Sequence, residues 1–295
     1  MIEWFFNSLH RECKGNYVGL DIVVVDFWKD DALRAAEFRS LAKCDIRHVA
    51  PKPTVWQGPN RLTTQDYFCP ANARNTAVCL AKDGWIAFVD DLSVLMPGWL
   101  ASVWAAMEGD YIALGSYKKV NNIVVDQHGH ATYTEFPPGI DSRLKHCERH
   151  SPGQSLVPAA GSWMFGCSFA APVEALLSVN GSDENCDGVG GEDYMLGMRL
   201  QSNGCRFFYD LRMLTLESEE LHHVGPVFKR IDKGTSPNDK SHSLLHMARD
   251  SKWAANYFGE EGLRGLRKRI QAGEPFPIMR IPEHDWYDGQ PLREM

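Results

Sequence analysis

The 295-residue sequence lacks a long apolar run, because no uninterrupted stretch reaches the roughly 18 residues that a membrane-spanning helix needs. Its first residues also lack the basic stretch followed by an apolar core that is typical of a signal peptide. We therefore expect a cytoplasmic protein with no transmembrane segment. Peripheral attachment at a membrane stays open as an alternative.

The chain also lacks a concentrated basic region. The formal net charge is -7 and the basic residues are scattered, whereas binding of a phosphate backbone needs a basic face. We expect no nucleic-acid partner.

The eight cysteines form no C-x-x-C pair. Since most of them lie among apolar residues, we expect buried free thiols rather than disulfides or zinc ligands, as in a reducing compartment.

What the chain does contain is enough apolar sequence for one large domain or two fused subdomains, with 44% hydrophobic and 23% charged residues. Short β-branched runs alternate with amphipathic segments, which indicates an α/β fold built from βαβ units. In such a sheet, ligands collect at the carboxyl ends of the strands. The first predicted helices cover 2–13, 31–42 and 72–82, and the first predicted strands cover 20–25, 45–49 and 85–89.

The second half of the chain is more irregular. Its spacing predicts helices over 97–108, 172–179, 194–200, 243–257 and 263–271. Strands are predicted over 111–114, 205–209 and 213–216, with a hairpin formed by 120–125 and 131–136.

Two acidic pairs stand about a hundred residues apart. Asp90 and Asp91 end an apolar strand, where paired carboxylates can hold a cation. Glu192 and Asp193 follow a glycine cluster at a predicted helix start, where glycine allows close approach of backbone to a ligand. A metal-diphosphate site together with a general base is typical of group transfer.

The order of these motifs resembles a known family. Residues 73–77 (ARNTA), 81–91 (AKDGWIAFVDD) and 97–100 (PGWL) are similar to the signature of family 2 GT-A glycosyltransferases. Residues 180–184 (NGSDE), 190–194 (GGEDY) and 199–200 (RL) resemble the acceptor segment of the galactosyltransferase and polypeptide N-acetylgalactosaminyltransferase families. Together these motifs span roughly residues 20 to 225 in the family's order.

The resemblance implies a GT-A (Rossmann-like) fold, with a mixed, mostly parallel sheet flanked by helices and a C-terminal helical extension. It divides the chain into a nucleotide-sugar-binding half (1–92), an acceptor-binding half (93–225) and a lid loop with the C-terminal extension (226–295). Family members begin with a strand ahead of the helix that starts here at Ile2. Either the sequence starts after that strand or the protein does without it.

The resemblance also assigns a donor and metal site. Asp26 would contact the nucleoside, Arg74 would approach the donor phosphates, and Asp90 would bind both donor and metal. The metal, Mn²⁺ or Mg²⁺, would be bound by Asp90, Asp91 and His223, with His222 as the alternative to His223. In the family's D-x-D register the second aspartate falls on Leu92, so either Asp91 replaces it through a shifted turn or metal binding is weak.

On the acceptor side, Asp193 matches the general base of inverting members, and Glu192 would orient it or bind an acceptor hydroxyl. Gly190, Gly191 and Trp163 are the further acceptor-site candidates. For Trp163, as for Phe165 and Trp99, the alternative role is core packing.

The predicted activity is therefore metal-dependent transfer of a sugar from a nucleotide diphosphate sugar to a hydroxyl, with Asp193 as base and inversion at the anomeric carbon. The acceptor would be a glycan, a lipid-linked molecule or a small molecule. Retaining chemistry stays open. The alternatives are a degenerate GT-A protein that binds glycan or nucleotide without turnover, and a sugar-phosphate nucleotidyltransferase, although the latter would carry an N-terminal Gly-rich phosphate loop that this sequence lacks.

Overall fold

The computed structural model describes residues 2–26, 32–54, 69–90, 93–135, 141–187, 190–220, 254 and 261–277. Eight α-helices lie within these ranges: α1 (Ile2–Glu12), α2 (Ala32–Leu41), α3 (Pro70–Leu80), α4 (Trp99–Gly109), α5 (Ser142–His150), α6 (Val173–Ser178), α7 (Glu192–Ser202) and α8 (Gly262–Gln271). The same ranges contain nine strands: β1 (Ile22–Val25), β2 (Ile46–Val49), β3 (Trp85–Val89), β4 (Ser93–Leu95), β5 (Ile112–Val125), β6 (Ala131–Glu135), β7 (Leu156–Ala159), β8 (Ser168–Pro172) and β9 (Phe207–Ser218).

Seven of these strands form a central sheet in the order β3-β8-β5-β9-β4, with β6 paired to β5 and β7 paired to β9. Strands β1 and β2 form a separate parallel pair. The predicted α/β class, a mixed sheet flanked by helices with a C-terminal helix, is confirmed.

The mostly parallel character expected of the sheet is wrong for the described strands. Five of the seven strand pairings are antiparallel, and only β1–β2 and β5–β9 are parallel. A parallel pair requires a long crossover connection, whereas two strands joined by a tight turn can only pair antiparallel. Strand β6 illustrates this, because a short turn at 126–130 returns it directly onto β5.

The sheet separates two apolar cores, which explains why β3 is apolar at every position. Ile86 and Phe88 pack into the core that also contains residues of α3, α6, α7 and α8. Trp85, Ala87 and Val89 pack into the core formed with α1 and α4. Burial of both faces favours a continuous apolar run over the alternation of a half-exposed strand.

Two long strands differ from the sequence prediction. Strand β9 is one twelve-residue strand where two strands were predicted, and β5 runs for fourteen residues through the region predicted as a short strand and a hairpin arm. A register shift between Gly115 and Ser116 absorbs extra residues of β9, so polar Asp210 and Arg212 interrupt the apolar pattern without ending the strand. The helix predicted over 243–257 lies almost wholly outside the described residues.

Helix α8 packs against α3 and carries a buried cation. Leu263 and Leu266 lie in the same core as α3. Nη1 of Arg267 donates to the carbonyl oxygen of Val78 over 3.0 Å and also to that of Ala81, while its Nη2 donates to Asp83 over 2.9 Å. Because the last carbonyls of a helix have no partner within the helix, this arginine satisfies the C-terminal end of α3.

All eight cysteines are free and six of them are buried, in agreement with the expected buried thiols. Within the described part of the chain, no helix combines the length and apolarity needed to cross a bilayer.

Candidate functional site

The carboxyl end of β3 delivers Asp90 to the edge of a cleft. The backbone N–H of Asp90 donates to the carbonyl oxygen of Cys167 over 3.2 Å, which continues the antiparallel pairing of Val89 with Ser168. The Asp90 side chain is 49% exposed. The strand pairing therefore holds the backbone of Asp90 while its carboxylate faces solvent.

Arg74 connects the two acidic motifs. From α3, its Nη1 lies 2.7 Å from Oε1 of Glu192 and its Nη2 lies 3.6 Å from Oδ1 of Asp90. The guanidinium and Glu192 are both largely buried, with 11% and 6% of their side chains exposed. Asp90 and Glu192, which are far apart in the sequence, thus lie on either side of one guanidinium.

Burial and charge act together on this cluster. Burial alone would lower the pKa of Arg74, but the carboxylates of Glu192 and Asp90 outweigh it and raise that pKa. Burial raises the pKa of Glu192, with a further contribution from Asp193, while Arg74 acts in the opposite direction. The guanidinium therefore stays charged and keeps Glu192 bound.

Asp193 lies in the first turn of α7, two residues after Gly191, whose φ of 88° is in the left-handed region that favours glycine. Its Oδ2 accepts from the N–H of Gly166 over 2.9 Å and its Oδ1 accepts from the N–H of Tyr194 over 2.7 Å. Two backbone donors hold the Asp193 carboxylate beside the Arg74 cluster.

Gly166 is the contact point between these groups. A Cβ at this position would lie 1.8 Å from Nη2 of Arg74, so a larger residue would displace the guanidinium. The same residue donates its N–H to Asp193. The backbone of the segment that leads into β8 therefore packs against both Arg74 and Asp193. This close approach requires glycine at position 166.

Glu217 is a further acidic residue of the site that the sequence analysis missed. It lies on β9 opposite Ser93 and is only 8% exposed, and its Oε1 has no hydrogen-bond partner among the described residues. Burial and then the nearby charge of Asp90 raise the pKa of Glu217 to about 7. An acidic residue directly after the predicted strand 213–216 was the available signal.

Asn75, next to Arg74 in the sequence, has a structural position instead. Its Nδ2 donates to the carbonyl of Ser182 and its Oδ1 accepts from the N–H of Ser182, both over 2.8 Å. Asp187 accepts from the N–H groups of Ala71 and Asn72, at the start of α3. The segment 180–187 is thereby fixed to α3, and α7 follows it.

Glu184, within the same segment, forms a fully buried ion pair with Lys52. Its Oε1 also accepts from Nδ2 of Asn75 over 2.9 Å. This charge pair therefore contacts α3 at the residue next to Arg74.

Asp26 ends β1 and is buried. Its Oδ2 accepts from Nε of Arg34 over 2.8 Å and lies 2.9 Å from Nε2 of His48. Its carboxylate is therefore held by groups from α2 and β2, and a nucleoside contact for Asp26 remains a prediction.

Trp163 packs as an aromatic core residue in the described structure. Its ring meets the ring of Tyr209 edge-on with centroids 5.9 Å apart, and that of His146 at 5.0 Å. This geometry favours core packing as the role of Trp163.

The predicted metal ligands Asp91 and His223, together with Leu92 and His222, lie outside the described residues.

Of the three predicted metal ligands, Asp90 lies within the described residues. Among the residues that the structure describes, no three His, Cys, Asp or Glu side chains are grouped to hold an ion. Asp90 and Glu217 nevertheless supply carboxylate oxygens near the carboxyl ends of β3 and β9, and the charge of Asp90 contributes to the raised pKa of Glu217. Carboxylate oxygens are donors that fit Mn²⁺ or Mg²⁺.

No protein-family model matches the chain, and no curated protein matches it. Among solved structures, it is similar to GalNAc-T7 crystallised with UDP, GalNAc and Mn²⁺, with 12% identity and a TM-score of 0.47 over 85% of this chain and 48% of that one.

Two structures of TarS from S. aureus are also similar. TarS 1–349 has 16% identity and a TM-score of 0.48 over 74% of this chain and 56% of that one. The longer TarS structure has 15% identity and a TM-score of 0.48, with coverage of 75% and 34%. This chain spans from about a third to just over half of the length of these three chains.

Proposed function

We propose that the protein is a glycosyltransferase that moves a sugar from a nucleotide diphosphate sugar to a hydroxyl acceptor. The observation that carries this proposal is the position of Arg74, between Asp90 at a strand end and Glu192 at a helix start. Arg74 is a buried cation between Asp90, the candidate metal ligand, and the acidic pair that contains the candidate base. This arrangement suits a donor that carries a diphosphate next to an electrophilic carbon.

On the donor side, Nη2 of Arg74 would bind a phosphate oxygen of the leaving diphosphate while Nη1 stays bound to Glu192. Asp90 would bind the divalent ion, with Asp91 and His223 as the predicted further ligands. Such an ion neutralises the charge that develops on the departing diphosphate. Asp26 would contact the nucleoside from the end of β1, within the half that spans 1–92.

On the acceptor side, Asp193 would remove the proton of the attacking hydroxyl. The N–H groups of Gly166 and Tyr194 hold its carboxylate, and a fixed orientation is what a general base requires. Glu192 is bound to Arg74 and would position α7 rather than receive the proton. Gly190 and Gly191 would leave the acceptor room to approach, because neither carries a side chain.

The reaction would be a single displacement that inverts the anomeric carbon. The hydroxyl oxygen attacks that carbon as the bond to the diphosphate oxygen breaks, and the hydroxyl proton passes to Asp193. The diphosphate leaves with the electron pair of the broken bond.

A panel of UDP, GDP, dTDP and CMP sugars with Mn²⁺ tests the proposal. We expect one donor to raise the melting temperature, because a ligand stabilises the state that it binds. Asp90→Asn should weaken this stabilisation. NMR of the product would show which anomer forms.

Retention instead of inversion would overturn the role of Asp193. Donor binding without transfer to glycan, lipid-linked or small-molecule acceptors would favour the binding-only alternative, and release of pyrophosphate from a sugar phosphate and a nucleotide would favour the nucleotidyltransferase.

A further inference from the structure

The segment that joins β7 to β8 carries a backbone donor to the candidate base. We call residues 161–166 the connecting segment. Its last residue, Gly166, donates its N–H to Oδ2 of Asp193 over 2.9 Å. The direction of this N–H is set by the backbone of the residues just before it. Groups that fix the connecting segment therefore also fix the orientation of the Asp193 carboxylate.

Helix α7, which carries Asp193, holds the connecting segment at its first residue. The N–H of Gly161 donates to Oε1 of Gln201 over 2.7 Å. A Cβ at Gly161 would lie 2.1 Å from the carbonyl oxygen of Gly197, so the two backbones approach at a distance that requires glycine. The connecting segment thus contacts α7 at both of its ends.

Arg143, from α5, holds the middle of the connecting segment. Its Nη1 donates to the carbonyl oxygen of Trp163 over 2.7 Å. Its guanidinium carbon lies 4.4 Å from the centroid of the Phe165 ring, which is within the range of a cation–π contact. Arg143 therefore contacts two of the three residues that immediately precede Gly166.

The guanidinium of Arg143 is itself fixed by buried partners. Asp141, the N-cap residue of α5, accepts from its Nε over 2.9 Å and from its Nη2 over 2.7 Å. Tyr209 of β9 donates its hydroxyl to the same carboxylate over 2.8 Å. Nη2 also donates over 2.9 Å to the carbonyl oxygen of Gly115, at the register shift between β5 and β9. Arg143 and Asp141 are only 4% and 1% exposed. One side chain thus ties the connecting segment to α5 and to two strands of the sheet.

The chemistry of this contact requires a guanidinium. Burial alone would lower the pKa of Arg143, but the hydrogen bonds and the charge of Asp141 outweigh burial and raise that pKa. A charged donor strengthens the hydrogen bond to the Trp163 carbonyl. A lysine in this place has a single nitrogen, which cannot span Asp141 and Trp163 in the way that the guanidinium fork does.

We propose that Arg143 is a positioning residue for the candidate base: it fixes the connecting segment so that Gly166 holds the Asp193 carboxylate toward the acceptor hydroxyl. This role rests on the proposed function, in which Asp193 removes the proton of that hydroxyl. Arg143 acts through Trp163 and Phe165 and needs no contact with either substrate.

Arg143→Lys tests the proposal while it keeps a positive charge beside Asp141. We expect kcat to fall at least about tenfold, because a displaced base loses its alignment, while the KM for the sugar donor changes less than about twofold. Amide exchange at Gly166 should become at least about tenfold faster, whereas exchange at Phe169 and Ala170 of β8 should change less than about twofold. A merely structural role for Arg143 would instead accelerate exchange at all three amides by a similar factor.

Phe165→Leu provides a second variant that does not depend on the buried ion pair. It removes the ring beside the guanidinium and keeps an apolar side chain. We expect kcat to fall about threefold and exchange at Gly166 to become about threefold faster, in line with the strength of one cation–π contact.

Arg206→Lys is the matched control. Arg206 also donates to backbone carbonyl oxygens, those of Gly109 and Asp110, but it contacts neither Trp163 nor Phe165 through these bonds. This variant should leave kcat and exchange at Gly166 unchanged.

Unchanged exchange at Gly166 in both test variants, or equal acceleration at all three amides, would overturn the proposal. Faster exchange at Gly166 with an unchanged kcat would also overturn it, since the base would then not depend on this contact. If the wild-type protein transfers no sugar from any donor, the proposed function fails. The exchange measurements then still decide whether Arg143 fixes the Gly166 N–H.

Discussion

Nη1 of Arg74 donates to Oε1 of Glu192 over 2.7 Å, joining the middle of α3 to the first turn of α7. The two residues are 118 positions apart in the sequence. Neither motif could form this cleft alone, because the cation comes from one and the buried carboxylate from the other.

Arg74→Ala should destabilise the protein by about 3 kcal/mol or more, because it leaves Glu192 buried without its cation. Urea denaturation measures this loss. Arg269→Ala removes an exposed partner of Glu261 and should leave stability nearly unchanged. Similar losses in both variants would contradict the importance of the buried pair.

Gly166→Ala should displace the Arg74 guanidinium, because the new Cβ would lie 1.8 Å from its Nη2. We expect nucleotide-sugar binding to weaken at least about tenfold, as for loss of a charge-assisted hydrogen bond. A double-mutant cycle provides the control. In an Arg74→Ala background the substitution should have little further effect on binding, and a full additional loss there would disprove the clash with Arg74.

Glu217 should make stability fall as the pH rises. Its pKa is raised to about 7 in the folded protein, so the folded state holds this proton more tightly than the unfolded state, whose glutamates have pKa values near 4.5. The stabilisation is complete below the unfolded value and is lost as the pH rises through about 7, by up to about 3 kcal/mol. Denaturation of Glu217→Gln between pH 5 and 8 should show a flatter profile, whereas an unchanged slope would assign the effect elsewhere.

Asp193→Asn should lower kcat by at least about a hundredfold, because the amide cannot act as a general base. The asparagine oxygen can still accept from the N–H of Gly166, while its amide nitrogen then faces the N–H of Tyr194, so KM should change much less than kcat. Steady-state kinetics separate the two parameters. A hundredfold rise in KM with unchanged kcat would indicate a binding role for Asp193 instead.

Lys52→Met should destabilise the protein by about 3 to 5 kcal/mol, because Glu184 would remain as a buried charge without its partner. Adding Glu184→Gln should recover part of that loss, since a neutral amide is cheaper to bury. Thermal denaturation of the single and double variants tests this, and equal stability of the two would exclude a charge effect.

The local parts of the fold were predictable from the sequence because they depend on short-range patterns. Strand β3 was predicted at its observed bounds, since an apolar run between Gly84 and Asp90 has few alternatives. Strand β9 was predicted as two pieces, because Asp210 and Arg212 interrupt its pattern while a bulge accommodates them.

Candidate site residues could be predicted where they stand at the ends of helices and strands. They were missed where their position depends on the pairing of distant strands. Asp90, Glu192 and Asp193 stand out at the ends of elements. Glu217 joins Asp90 only because β9 pairs with β4, a relationship between distant residues that no local pattern contains. Asn75 lies in the motif 73–77, and its side chain fixes the segment that begins at Ser182, a contact between distant residues that the motif does not reveal.

The contact between Arg267 and the end of α3 links the chain's last described helix to the cleft. Arg74 lies on the same rigid helix whose final carbonyls Arg267 binds, only a turn or two away. A displacement of α8 would break the hydrogen bonds of Arg267 to the C-terminal end of α3. The Arg74 guanidinium would then be held less firmly beside Glu192 and Asp90. Helix α8 is thus placed to influence how firmly Arg74 is held beside Glu192 and Asp90.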